Sequence, residues 1–144
     1  MKLFKKKLSK PVVYTMASCD YCDTLVKELN KANVSFVEKD IDKNRPEWEG
    51  VMKITGLPKT PTIFFNKNYL IPMRDFRNPD QLIKILDGLK DSDDNSSIQT
   101  TELLKTLNYN MSKAFNGLEI TLKKLEENTA SGHQTDNKIE EIVD

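Results

Sequence analysis

The sequence has no apolar run approaching the roughly 18 residues that cross a bilayer, so no membrane-spanning helix is expected. It has only two cysteines and one histidine, short of the four ligands of a structural zinc site. The histidine, His133, also lies far along the chain from both cysteines, so no metal is expected. Net charge is absent: 22 Lys and Arg balance 22 Asp and Glu. A nucleic-acid binder needs a basic stripe backed by a recognition motif, and only Lys2, Lys5, Lys6 and Lys7 cluster. A solvated terminus accounts for those four. The apolar middle of a secretion signal is missing too, because Leu8-Ser9-Lys10-Pro11 interrupts it. A cytoplasmic protein is therefore expected, without nucleic-acid or membrane partners. In that reducing compartment two cysteines are seldom a structural staple, so their spacing is read as chemistry.

What the chain does have is unevenly spread. Residues 1–90 carry 17 Lys and Arg against 11 Asp and Glu, a balance of +6, and residues 91–144 carry 5 against 11, a balance of −6. Such a split marks a domain boundary. The hydrophobic fraction of 38% is low for a chain packed throughout, so part of it should lie outside a core.

The first ninety residues alternate strand-like and helix-like stretches. Pro11-Val12-Val13-Tyr14-Thr15 is rich in β-formers, with Pro at its edge. A helix from about Cys19 to Ala32 puts Leu25, Val26 and Leu29 on one face. Val34 to Ile41 alternates with period two and predicts a second strand. Pro46 to Thr55 predicts a helix with Gly56 as its stop. Thr62-Ile63-Phe64-Phe65 and Tyr69-Leu70-Ile71 predict two strands joined by a turn at Asn66-Lys67-Asn68. Asn78-Pro79-Asp80 supplies a cap, a first-turn Pro and an early acid for a helix through Leu89. The order is β-α-β-α-β-β-α, an α/β fold with a small central sheet covered by helices.

Four segments follow: a domain over 1–90, a polar linker over 91–100, an amphipathic helix over 101–128 and a disordered acidic tail over 129–144. Within that helix, Leu104, Leu107, Met111, Ala114, Leu118, Thr121 and Leu125 fall at alternating three- and four-residue steps, the spacing of a coiled-coil seam. Such a face either docks on its own domain, self-associates or docks on another protein.

Chemistry is concentrated at Ser18-Cys19-Asp20-Tyr21-Cys22, where a strand ends and a helix begins. Unpaired amides and the helix dipole stabilise an anion at that end, and a thiolate is the attacking species in disulfide exchange. Cys19 is the expected nucleophile. Cys22, one turn later, is the expected resolving thiol. Zinc binding and two inert core cysteines are the rival readings; the first lacks ligands and the second leaves the placement unexplained. Thr60-Pro61, directly before a strand, is a second feature, although Pro is tolerated at a strand's first position anyway.

With Val12-Val13-Tyr14-Thr15-Met16-Ala17-Ser18-Cys19-Asp20-Tyr21-Cys22, then Ile54-Thr55-Gly56 and Thr60-Pro61-Thr62-Ile63-Phe64-Phe65 in this order, residues 11–90 resemble the glutaredoxins of the thioredoxin superfamily. The resemblance implies a thioredoxin fold, a mixed four-stranded sheet flanked by helices, here with an appended C-terminal amphipathic helix. It implies a thiol–disulfide oxidoreductase acting on protein or glutathione mixed disulfides, with glutathione as co-substrate and no bound cofactor. It also implies a cis peptide at Pro61 beside Cys19, the Thr60 backbone offered to substrate, and Tyr21 bordering a glutathione groove. Two single positions and one four-residue segment depart from the family pattern. Met16 stands where a Lys is usual, Asp20 where a Pro is common, and Pro72-Met73-Arg74-Asp75 where a Gly-Gly pair precedes Cys-Asp. Arg74 and Arg77 are candidates to grip a substrate carboxylate with a two-pronged fork, or else surface charges. The alternative from another class is a non-catalytic binding or assembly module working through the C-terminal helix.

Overall fold

The computed structural model describes residues 9–92 and 97–143, with side chains as far as residue 130. The Lys-rich start, the middle of the linker and the side chain of His133 lie outside the described residues. Eight elements follow one another: β1 (Val12–Thr15), α1 (Asp20–Lys31), β2 (Val37–Asp40), α2 (Arg45–Thr55), β3 (Thr62–Phe65), β4 (Asn68–Leu70), α3 (Pro79–Leu89) and α4 (Ile98–Val143). The strands form one sheet in the order β2-β1-β3-β4. β1 runs parallel to β2 and antiparallel to β3, and β3 runs antiparallel to β4. This mixed four-stranded sheet with flanking helices is the thioredoxin fold, and a long C-terminal helix is added to it.

Strand side chains alternate between faces, so each strand feeds two cores. One core joins Val13, Ile63, Phe65 and Leu70 of the sheet to Leu25 and Leu29 of α1 and to Leu82 and Leu86 of α3. The other joins Tyr14 and Tyr69, the neighbours of Val13 and Leu70 along the strands, to Trp48 and Val51 of α2. Trp48 therefore packs, with its ring 5.8 Å from that of Tyr14.

Helix ends follow local chemistry. Asn78, in extended backbone, accepts from the Gln81 N–H at 2.9 Å, and Pro79 occupies the first turn. α2 stops at Gly56, whose φ of +67° is the left-handed conformation that a side chain disfavours. β2 is four residues long rather than the eight expected; its period-two pattern continues outside the ladder, which pairs only Val37 to Asp40 with β1.

α4 starts at Ile98, inside the stretch read as linker, and its backbone runs on to Val143 through the stretch read as tail. The first compact unit of the chain extends to Thr106, not to residue 90, and a second begins at Leu107. The reason is a network of buried polar groups. Glu102 reaches the outer edge of β4, where its carboxylate accepts from the Tyr69 N–H at 3.0 Å. The Arg74 guanidinium donates to Glu102 Oε2 at 2.6 Å, and both side chains are only 1% exposed. Arg74 also donates to the Tyr69 carbonyl at 2.8 Å, to Asp75 at 2.8 Å and to Thr106 Oγ1 at 3.1 Å. Thr106 in turn donates to the Thr55 carbonyl at the end of α2. Thus the backbone groups of Tyr69 on the edge strand are closed by side chains rather than left open to pairing with another strand.

Removing one partner of a buried ion pair leaves the other uncompensated, which costs about 3–5 kcal/mol. Glu102→Gln should lower the urea midpoint by an amount equivalent to about 3 kcal/mol, because Arg74 keeps Asp75. The double variant Arg74→Met/Glu102→Leu should recover much of that loss. Equal losses for the single and double variants would show that the pair is not what anchors α4.

Candidate active site

The chain leaves β1 at Thr15 and reaches α1 within five residues, and Ser18 makes the corner with a φ of +62°. A non-glycine residue in that region is uncommon and strained by about 1 kcal/mol or more. The corner delivers Cys19 to the cap position of α1, in extended backbone with φ −101° and ψ 96°. Its sulfur accepts from the Cys22 N–H at 3.2 Å, one of the amides that a helix start leaves without an internal partner. The Cys19 carbonyl accepts from the Asp23 N–H and begins the helix ladder.

Cys19 is half-buried, whereas Cys22 is 1% exposed beneath the first turn. Their Cα atoms lie 5.2 Å apart and the two sulfurs are joined as a disulfide. The arrangement is asymmetric. A substrate can approach the outer sulfur, while the inner one reaches only its neighbour.

Thr60 lies on the other side of Cys19, with Oγ1 at 3.9 Å from Sγ, and the Thr60–Pro61 peptide is cis. Pro61 is buried at the head of β3. Between the corner that follows β1 and the end of β2 lies a polar depression lined by Met16, Ala17, Asp23, Glu38, Asp40 and Lys43. Lys39, at the same depression, is engaged with Glu47 at 2.8 Å. Lys39, with help from the Tyr14 hydroxyl, holds the Glu47 carboxyl below its usual range.

The remaining residues expected at the site divide. The structure brings Thr60 to Cys19, with Pro61 next in the chain across the cis peptide. Tyr21 packs against the core under α1 and α3, and its hydroxyl is enclosed with no hydrogen-bond partner among the described residues. Arg77 is exposed before α3 and makes neither a hydrogen bond nor an ion pair with Cys19 or Thr60. Arg74 has to be corrected: its guanidinium is buried against Glu102, Asp75 and Thr106 and is not available to a substrate carboxylate. Sequence reasoning missed Glu102, which reads there as one polar residue on the far side of a helix. It also missed Ser18, whose strained backbone has no signature in residue type.

The family model described as Glutaredoxin matches residues 12–70, from β1 to the end of β4. Residues 12–70 thus carry a glutaredoxin domain. No curated protein matches the chain. The glutaredoxin match and the Cys19–Cys22 spacing together support thiol–disulfide oxidoreductase chemistry at family level. The match leaves out α3 and α4, and so it leaves out Arg74 and Glu102. Among the described residues no helix is long and apolar enough to cross a membrane.

Burial raises Tyr21, Tyr14 and Tyr69 above the ordinary tyrosine range, with the Glu47 hydrogen bond adding to the effect at Tyr14 and Glu102 adding at Tyr69. A group whose folded pKa is raised stabilises the fold fully below its unfolded value. That stability is lost as pH rises past about 10. The domain should therefore lose stability in alkali. Tyr21→Phe should flatten that loss and leave stability at neutral pH equal or higher by up to about 1 kcal/mol, since no hydrogen bond is given up. Denaturation at pH 7 and pH 11 checks both, and a large loss at pH 7 would place a partner on the hydroxyl.

Proposed function

We propose that the domain is a dithiol oxidoreductase of the cytoplasm that reduces protein disulfides in preference to glutathione mixed disulfides. The observation that carries the reading is the cap position of Cys19, its sulfur facing a helix amide on one side and Thr60 beside cis-Pro61 on the other. The Cys19 thiolate attacks one sulfur of a substrate disulfide and expels the other as a thiolate. The Cys22 sulfur then attacks Cys19 Sγ, releases the reduced substrate and closes the Cys19–Cys22 disulfide. Two electrons have passed to the substrate, and an external thiol reductant restores the dithiol. Thr60, directly before Pro61, offers its backbone to the bound polypeptide.

Charge supports the choice of substrate. Glutathione carries two carboxylates. Asp20 adjoins Cys19, and Asp23, Glu38 and Asp40 line the depression at the β1–α1 corner, with Lys43 as the cation not already engaged there by Glu47. Met16, 42% exposed, occupies the position where the family usually has a lysine. Arg74 is committed to Glu102. Asp20 beside Cys19 disfavours an anionic tripeptide, whereas a polypeptide with neutral or basic flanks meets an apolar Met and several carboxylates.

Two experiments test this. Cys19→Ser should abolish turnover of a protein disulfide, and Cys22→Ser should accumulate a covalent mixed disulfide visible by mass spectrometry. Full activity in Cys19→Ser would exclude the mechanism. For specificity, kcat/KM should be at least about tenfold higher for a disulfide flanked by Lys than for a glutathione mixed disulfide, about 1.4 kcal/mol in transition-state binding. Asp23→Asn/Asp40→Asn should narrow that ratio by improving the glutathione substrate. A ratio of one or below would return the domain to glutathione chemistry.

A further inference from the structure

The described side chains of α4 beyond Thr106 pose a solvation problem of their own. Leu107, Met111, Phe115, Leu118, Leu122 and Leu125 are each 47–64% exposed. They repeat along one side of a helix, so the exposed area is a continuous band and not a scatter of single residues. A helix docked along its whole length on a globular domain would follow the 3.6-residue period. Here Leu104, Leu107, Met111, Ala114, Leu118, Thr121 and Leu125 keep a repeat of 3.5 through three heptads, the period that holds a seam against another helix. We infer that a second copy of this chain covers the band, the two α4 helices pairing along this seam.

Charge and area both favour a like partner. Residues 107–130 carry Lys113, Lys123 and Lys124 against Glu119, Glu126 and Glu127, so two copies do not repel. With Leu104 and Met111 at the first seam position, the flanking positions are Asn108, Asn110, Phe115, Gly117, Leu122 and Lys124. Partner choice in coiled coils is usually written in charges at those flanks. Only Lys124 is charged here, so nothing excludes an identical strand and nothing selects a different one. Phe115 and Leu122 widen the seam on one side. Gly117 leaves space beside it, where a Cβ would meet nothing within 4 Å. Residues 104–128 span roughly 37 Å of helix. Two such helices bury on the order of 1,500 Å² in total, within the range of stable protein interfaces.

The test uses the full chain. Light scattering coupled to gel filtration, at concentrations from about 1 to 100 µM, should give twice the chain mass of 16.6 kDa at the upper end. Met111→Glu/Leu118→Glu should return the mass to that of one chain, with disulfide turnover per chain unchanged, since neither residue belongs to the cysteine site. Lys123→Gln, on the outward side of the helix, should keep the doubled mass and controls for a nonspecific effect of altered charge. A single-chain mass for the native protein at 100 µM overturns the inference. So does a doubled mass that survives the two Glu substitutions, or a native mass of three or more chains.

Discussion

A guanidinium with 1% of its side chain exposed cannot stand alone, because desolvating an unpaired charge costs several kcal/mol. Arg74 sits just after the edge strand of the sheet, and its countercharge comes from a helix 28 residues further on. Much of what distinguishes this chain follows from that pairing. It brings the first turns of α4 onto β4, closes the backbone groups of Tyr69, and draws Thr106 to the end of α2. Gly56, where α2 stops, meets the same turn: a Cβ there would lie 3.5 Å from Thr106 and 3.6 Å from Leu103. A residue that resembled a substrate anchor is instead the keystone between a family domain and its extension.

The cysteine site depends on a different device. A strained corner at Ser18 places a sulfur where the first helix amides are unsatisfied, so one backbone arrangement both starts α1 and hydrogen-bonds Cys19. The environment is not uniformly favourable to an anion, because Asp20 and Asp23 occupy the first turn. Those acids suit the helix dipole and work against a thiolate beside them. Helix stability and sulfur reactivity therefore draw on the same few positive ends of amide groups.

The fold was largely legible in the sequence because local signals carry it. Asn78-Pro79 announces α3, Gly56 stops α2, and the alternation of Ile63, Phe64 and Phe65 sorts side chains to the two cores. The cysteine pair was legible because strand-then-helix context is a short-range property. Arg74 was not: a charged residue in a loop reads the same whether it faces solvent or a partner 28 residues away. The start of α4 was hidden for a related reason. Ile98 and Glu102 lie close behind a run of Asp, Ser and Asn, and only their contacts with the second core and with β4 pull them out of the linker.

The distance between Arg74 and Glu102 along the chain also has a meaning in time. Synthesis at roughly 5–20 residues per second puts Glu102 about one to six seconds behind Arg74. During that interval the sheet can form, but its outer strand has no cover and the guanidinium has Asp75 alone among its two acidic partners. The newborn domain is thus an open-edged sheet waiting for its own lid, and it is most exposed to pairing with a neighbouring nascent chain in those seconds.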